Sequence, residues 1–241
     1  MTALGRRLVL ADAGEAADLA AFLGRLIHYD RAAAVRLQAG TGAVAVFGRP
    51  PSFEVLAVRT SRLAVGVTAG GGAGGRAGAD EDGTGELDVT VSAGELLEGI
   101  DEGTGAVLVP RAVTGPPWAG VLPPRGGWRQ VPGLPGTDAM RAVVAAAVAE
   151  FRARDEALAP EDRTRAARDR VGREIWSRTL ADTELPLRAV HAAHSLGFLR
   201  PGADPAAVAL LSAAGWLRLR TPYGSVAVRR AGLGVLPVAP V

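Results

Sequence analysis

Cysteine, lysine and asparagine are absent from all 241 residues. Without cysteine there is no disulfide, no thiol nucleophile and no thiolate metal site. Without lysine there is no Schiff-base chemistry, no phosphate-loop lysine and no kinase lysine. All 27 basic residues are therefore arginine, a choice that GC-rich codon bias accounts for. Aromatics are scarce at 5%, so the core must be built from Ala, Val and Leu. Long apolar runs are missing as well. The candidates at 142–149 and 205–217 fall far short of the ~20 residues that cross a bilayer. The apolar stretch before Asp12 is too short for a signal peptide. These absences predict a cytoplasmic protein without a membrane partner.

What is present is a globular composition, 48% apolar, with enough chain for one large domain or two small ones. The pI is 9.8 although the net charge is only +2. Arginine does not titrate near neutrality, so the pI by itself is not a nucleic-acid signature.

The chain is organised around 113–128, V-T-G-P-P-W-A-G-V-L-P-P-R-G-G-W. Four prolines here forbid a helix and break any central strand, while Trp118 and Trp128 favour a packed loop. The stretch reads as an ordered seam between a β-rich half, 1–130, and a helical half, 131–241.

In the first half, residues 12–28 form a helix capped by Asp12, with Leu19, Phe22, Leu23, Leu26 and Ile27 on one face. Alternating runs at Ala33–Leu37, Ala43–Phe47, Phe53–Arg59 and Leu63–Val67 predict an antiparallel meander under that helix. The Gly-rich segment 69–86 lacks a lysine and a following helix, and it ends in Asp80-Glu81-Asp82. It reads as a disordered insertion rather than a phosphate loop. Leu87–Val91 resumes as a strand, Ser92 caps a helix at 93–100, and Ala106–Val109 is a further strand. Glu95, Glu98, Asp101 and Glu102 read as a solvated helix end, not a catalytic or calcium cluster.

In the second half, Met140, Val144, Ala147, Phe151 and Leu158 predict a helix over 137–158. Pro160 is expected to start a second, running to Arg178. Its arginines pair in the order Glu161–Arg165, Asp169–Arg173 and Glu174–Arg178, which marks a self-neutralised, solvated face. A third helix runs from Pro186 to Gly197. It carries His191 and His194, whose i, i+3 spacing lacks the glutamate of a zinc-protease helix, so a packed pair is the favoured reading. Asp204-Pro205 is expected to cap a fourth helix, 205–214. A hairpin follows, Trp216–Arg220 and Ser225–Arg229, with Leu217 and Leu219 inward and Arg218 and Arg220 outward.

The fold class is therefore α+β: an antiparallel β-rich half with a covering helix, then a helical half ending in a β-hairpin. Helix, turn, helix and arginine-bearing hairpin is a winged-helix-like order. The charge agrees, being +7 over 163–241 and −5 over the remainder. The helix expected at 205–214 has no Arg, Asn or Gln for reading base edges. Any DNA contact would use Arg218, Arg220, Arg229 and Arg230 on phosphates.

W-A-G-V-L-P-P-R-G-G-W at 118–128, the helix containing Trp176, the segment from His194 to Phe198 and T-P-Y-G-S-V-A-V-R at 221–229 together resemble a conserved family of uncharacterised proteins from high-GC Gram-positive bacteria. The resemblance covers most of the chain from about residue 30 and implies no activity, cofactor or partner. It is compatible with a self-contained cytosolic protein.

Three functions follow from the residues. A protein-interaction or regulatory module, with a protein partner or self-association, is favoured because Trp118, Arg125 and Trp128 are residue types that interfaces use as anchors. Nucleic-acid binding without sequence readout is the alternative. An enzyme is the third, with no catalytic residue, metal or cofactor nominated.

Overall fold

The structure is a computed structural model that describes residues 6–40, 42–51, 53–64 and 87–230. The expected insertion at 69–86 and the tail at 231–241 lie outside the described residues. The chain divides into two compact units, Met1–Pro51 with Ala57–Leu122, and Ser52–Leu56 with Pro123–Val241.

The first unit contains β1 (Arg7–Val9), α1 (Ala13–Tyr29), β2 (Ala34–Gly40), β3 (Ala43–Gly48), β4 (Leu56–Arg62), β5 (Leu87–Ser92), α2 (Ala93–Glu98), β6 (Ile100–Asp101) and β7 (Ala106–Leu108). β2, β3 and β4 form the expected antiparallel meander, and β5 returns to pair with β2. β7 lies between β1 and β6 in a separate three-stranded sheet. Strict alternation buries Val35, Leu37, Ala39, Val44 and Val46 on one sheet face, as a half-buried strand requires. α1 covers that face. Its Leu26 lies so close to Gly48 that an added Cβ would meet Leu26 Cδ1 at 2.4 Å. Asp12 caps α1 by accepting from the Glu15 N–H at 2.9 Å, and Ser92 caps α2 by accepting from Glu95 N–H at 3.4 Å. The strand expected at Phe53–Arg59 begins only at Leu56. Of that expected at Leu63–Val67, Leu63 makes a single bridge to Leu10, and 65–67 lie outside the described residues.

The second unit contains β8 (Arg129–Val131), α3 (Thr137–Glu156), α4 (Arg165–Trp176), α5 (Leu187–Ser195), β9 (Ala209–Ala213), β10 (Trp216–Thr221) and β11 (Gly224–Arg229). Its four strands run β11-β10-β9-β8, each antiparallel to its neighbour. The second half thus holds a four-stranded sheet as well as its helices and the expected hairpin.

Two expectations are corrected here. Pro160 opens only a 3-10 turn, Pro160–Asp162, and α4 starts at Arg165 with Thr164 as its cap. The break is stabilised by Arg163, which donates to the carbonyls of Glu156 and Leu158 at 2.7 and 3.1 Å and so satisfies the open end of α3. The expected helix at 205–214 is a 3-10 turn followed by β9. Ala214 and Gly215 have φ of 42° and 78°, the pair of left-handed residues that closes a two-residue hairpin. Gly215 ends a strand, not a helix. Without that helix the winged-helix order is lost.

Leu217 and Leu219 face inward as expected, 2% and 0% exposed. The hairpin is closed at Thr221↔Gly224, where Gly224 has φ 151° and the buried Phe198 ring fills the space a side chain would need. An added Cβ would lie 2.5–2.8 Å from three ring carbons. Gly224→Ala is expected to lose about 2–4 kcal/mol of stability from overpacking and backbone strain together. Urea unfolding of the full chain measures it, and a loss below about 0.5 kcal/mol, the ordinary surface value, would contradict this packing.

Candidate functional site

The outward face of the second unit's sheet follows from register and is only partly open: Ala209, Ala213, Ser225 and Ala227 on it are buried, and its exposed positions are Gln130, Arg220 and Arg229. Gln130, Leu211, Arg218 and Ala227 stand opposite one another in one row. Ala213, Trp216 and Arg229 form a second row, and Ala209, Arg220 and Ser225 a third. None of these ten positions carries a carboxylate. Their inward neighbours include Leu210, Leu217, Leu219, Val226 and Val228, all buried.

Two arginine–tryptophan stacks stand on this face. The Arg218 guanidinium carbon lies 5.7 Å from the Trp128 ring centroid, and that of Arg229 lies 5.2 Å from Trp216. Both distances are within cation–π range. Trp128 is fixed by its indole N–H, which donates to the Pro124 carbonyl at 3.0 Å. Arg218 is fixed by its Nε, which donates to Ser225 Oγ at 2.9 Å. Both tryptophans and Arg218 are half-buried, while Arg220, Arg229 and Gln130 are exposed. Burial, then the nearby charge of Arg220, lowers the Arg218 pKa. Arginine remains charged at neutral pH regardless.

The fold therefore joins residues expected to serve two different functions. Trp128 and Arg218 meet. Arg125 is exposed on the preceding loop, and Trp118 falls in the first unit, half-buried in a 3-10 turn over Pro117–Gly120. That turn is held by Arg36, which donates to the Ala119 carbonyl and also grips Asp88 through two bonds of 2.7 and 2.8 Å. Arg230 is ion-paired with Glu184. Trp216 was overlooked as a site residue, although its period-two spacing with Arg218 and Arg220 already put all three on one strand face.

The carboxylates of α3 and α4 pair differently from the pairs expected within one helix. Arg168 bonds Asp155 at 2.7 Å, Arg178 bonds Glu150 through two contacts of 2.6 and 2.7 Å, and Glu174 receives Arg154. These pairs bridge α3 to α4 or to the turn after it. Among the expected partners, Asp169 pairs with Arg165 at 3.8 Å.

His191 and His194 stand in different surroundings. His191 is stacked on Trp176 at 4.2 Å with 19° between planes, and it meets the edge of Phe53 at 5.1 Å. Burial, reinforced by the charge of His194, lowers its pKa to about 4. His194 is exposed, with a pKa lowered by partial burial and by Arg141. Among the described residues no three His, Cys, Asp or Glu side chains are grouped to hold a metal ion. Nor, among them, is any helix long and apolar enough to cross a membrane.

No curated protein matches the chain. Among solved structures it is similar to a DNA polymerase sliding clamp from Pseudomonas aeruginosa, at 12% identity and a TM-score of 0.46, over 97% of this chain and 66% of that one. The chain thus spans slightly under two thirds of the clamp's length. Residues 3–120 match the family described as Domain of unknown function (DUF8010), and residues 123–233 match Domain of unknown function (DUF8185). The two matches follow one another along the chain, DUF8010 over its first half and DUF8185 over its second, and between them they cover nearly all of it.

Proposed function

We propose that this protein is a non-enzymatic, cytoplasmic protein-interaction module that binds its partner through the outward face of the second unit's sheet. The observation that carries the reading is the pair of stacks, Trp128–Arg218 and Trp216–Arg229, on a face with no carboxylate in register. Tryptophan and arginine are the residues that concentrate binding energy at interfaces. Here Trp128 and Arg218 are held by hydrogen bonds and Trp216 by its contact with Arg229, so less side-chain entropy remains to be lost on binding.

Photo-crosslinking in cells tests this. A benzophenone amino acid at Gln130 or Arg220 is expected to yield a discrete protein adduct that Trp216→Ala abolishes. The same probe at Arg165, on the exposed side of α4, should yield none. Equal adducts from all three positions, or none from any, would defeat the reading.

A second reading, backbone contact with nucleic acid, draws on the same arginines. It is weakened by three observations. Position 205–214 supplies no recognition helix. Arg168, Arg178 and Arg154 are engaged by carboxylates, and Arg230 is engaged by Glu184. A crosslink at Gln130 that nuclease removes would favour it.

A further inference from the structure

Resting on the interaction reading above, we infer that the segment received by this sheet face is an extended, carboxylate-rich stretch of a partner protein, with acidic side chains at alternate positions. Arg218 and Arg220 are two residues apart on β10, which places their Cα atoms about 7 Å apart. Arg229 lies diagonally across from Arg218, since Arg218 pairs with Ala227, again at about 7–8 Å. An extended chain presents every second side chain on one side at the same ~7 Å repeat. Three guanidiniums in that arrangement match acidic residues at alternate positions of an extended segment.

The chemistry of each arginine agrees. Arg218 spends its Nε on Ser225, which leaves the two terminal nitrogens in a fixed plane for a carboxylate. Arg220 and Arg229 are exposed and have no acidic partner among the described residues. Burial and the neighbouring cation already disfavour the charge of Arg218, so an anion set over it relieves a repulsion that the chain itself leaves uncompensated. Single-stranded nucleic acid fits less well. It depends on open aromatic faces for base stacking, and the guanidiniums of Arg218 and Arg229 are stacked on Trp128 and Trp216.

The full-length protein is titrated with an alternating Glu–Thr peptide, the matching Gln–Thr peptide and a single-stranded oligonucleotide of equal length. The Glu–Thr peptide is expected to bind, with affinity falling as salt rises. Arg220→Gln and Arg218→Gln should each weaken it roughly tenfold, and Arg165→Gln should leave it unchanged. Because Arg220 is exposed, its replacement tests the contact without disturbing the fold. Equal binding of the Gln–Thr peptide overturns the inference. So does no binding of the Glu–Thr peptide. If the crosslinks from Gln130 persist in either case, the interaction reading survives alone, and if they too are absent, both fail. Tighter binding of the oligonucleotide through the same arginines also overturns the inference and assigns the face to nucleic acid.

Discussion

Arg59→Gln is expected to destabilise the first unit by about 3–5 kcal/mol, the range for breaking a buried ion pair from one side. Arg59 is 5% exposed on β4, and its Nη2 lies 2.7 Å from Glu15 and 3.4 Å from Asp18, both on α1. Glu15 is itself mostly buried, with its side chain 13% exposed. Removing the cation leaves that carboxylate without its closest compensation where water cannot replace it. Arg62 still reaches Glu15 at 3.0 Å, but from a side chain 70% exposed, where a pair contributes little. Replacing both partners, Arg59→Met with Glu15→Met, should recover most of the loss, because the desolvation cost of the ions then disappears along with their attraction. Urea unfolding of wild type, single and double variants decides it. A double variant no more stable than Arg59→Gln would show that packing by the arginine stem, not charge, is what the position supplies.

The other large effect is an acid sensitivity centred on His191. Its pKa is about 4 in the folded protein, against about 6.5 for an unperturbed histidine. Between those values the unfolded chain binds a proton that the folded chain does not, so stability rises with pH across this window. The full contribution is present above pH 6.5. It is lost progressively as pH falls toward 4, and below 4 this group adds no further dependence. The loss amounts to about 2–3 kcal/mol, after discounting for the partial solvent access of the ring. His191→Phe keeps an aromatic ring between Trp176 and Phe53 and removes the titration. Unfolding free energies at several pH values from 7.5 down to 4 are expected to show a slope for wild type that is smaller in the variant. His194 contributes in the same direction, since its pKa is also lowered, so His194→Gln is the companion control. A slope unchanged by His191→Phe would place the acid sensitivity elsewhere.

The local order of this protein was legible from its residues. Asp12 and Ser92 were identified as caps because their side chains can satisfy the first free N–H groups of a helix, and each does. The meander was legible because period-two alternation assigns Val35, Leu37, Val44 and Val46 to one face without reference to anything distant. The terminal hairpin was legible for the same reason. Of the histidine pair expected to be packed, His191 lies between two aromatic rings, whereas His194 is exposed. The affinity with uncharacterised proteins was also apparent from motifs at 118–229.

What the sequence left open was decided by tertiary partners. Residues 205–214 are rich in Ala and Leu, which favour a helix locally. A short apolar run carries no period that separates helix from buried strand, and β8 and β10 on either side settled it by pairing with β9. The helix expected from Pro160 yielded to a local competitor, Arg163, which turns back to bond the carbonyls of Leu158 and Glu156, groups no periodicity of apolar residues reports on. The charge pairs were expected within one helix at i, i+4. Arg165–Asp169 does stay within α4, but Arg168 and Arg178 pair across elements because Asp155 and Glu150 offer them better-placed carboxylates. Phe53 was read as strand and instead packs against His191, a contact separated by more than a hundred residues. The site is the clearest case. Spacing alone placed Trp216, Arg218 and Arg220 on one strand face, but only the addition of β8 and β9 to that hairpin brought Trp128 over Arg218. Backbone and side-chain rules of short range determined the elements. Pairing between distant strands, which no local pattern encodes, determined the surface they build.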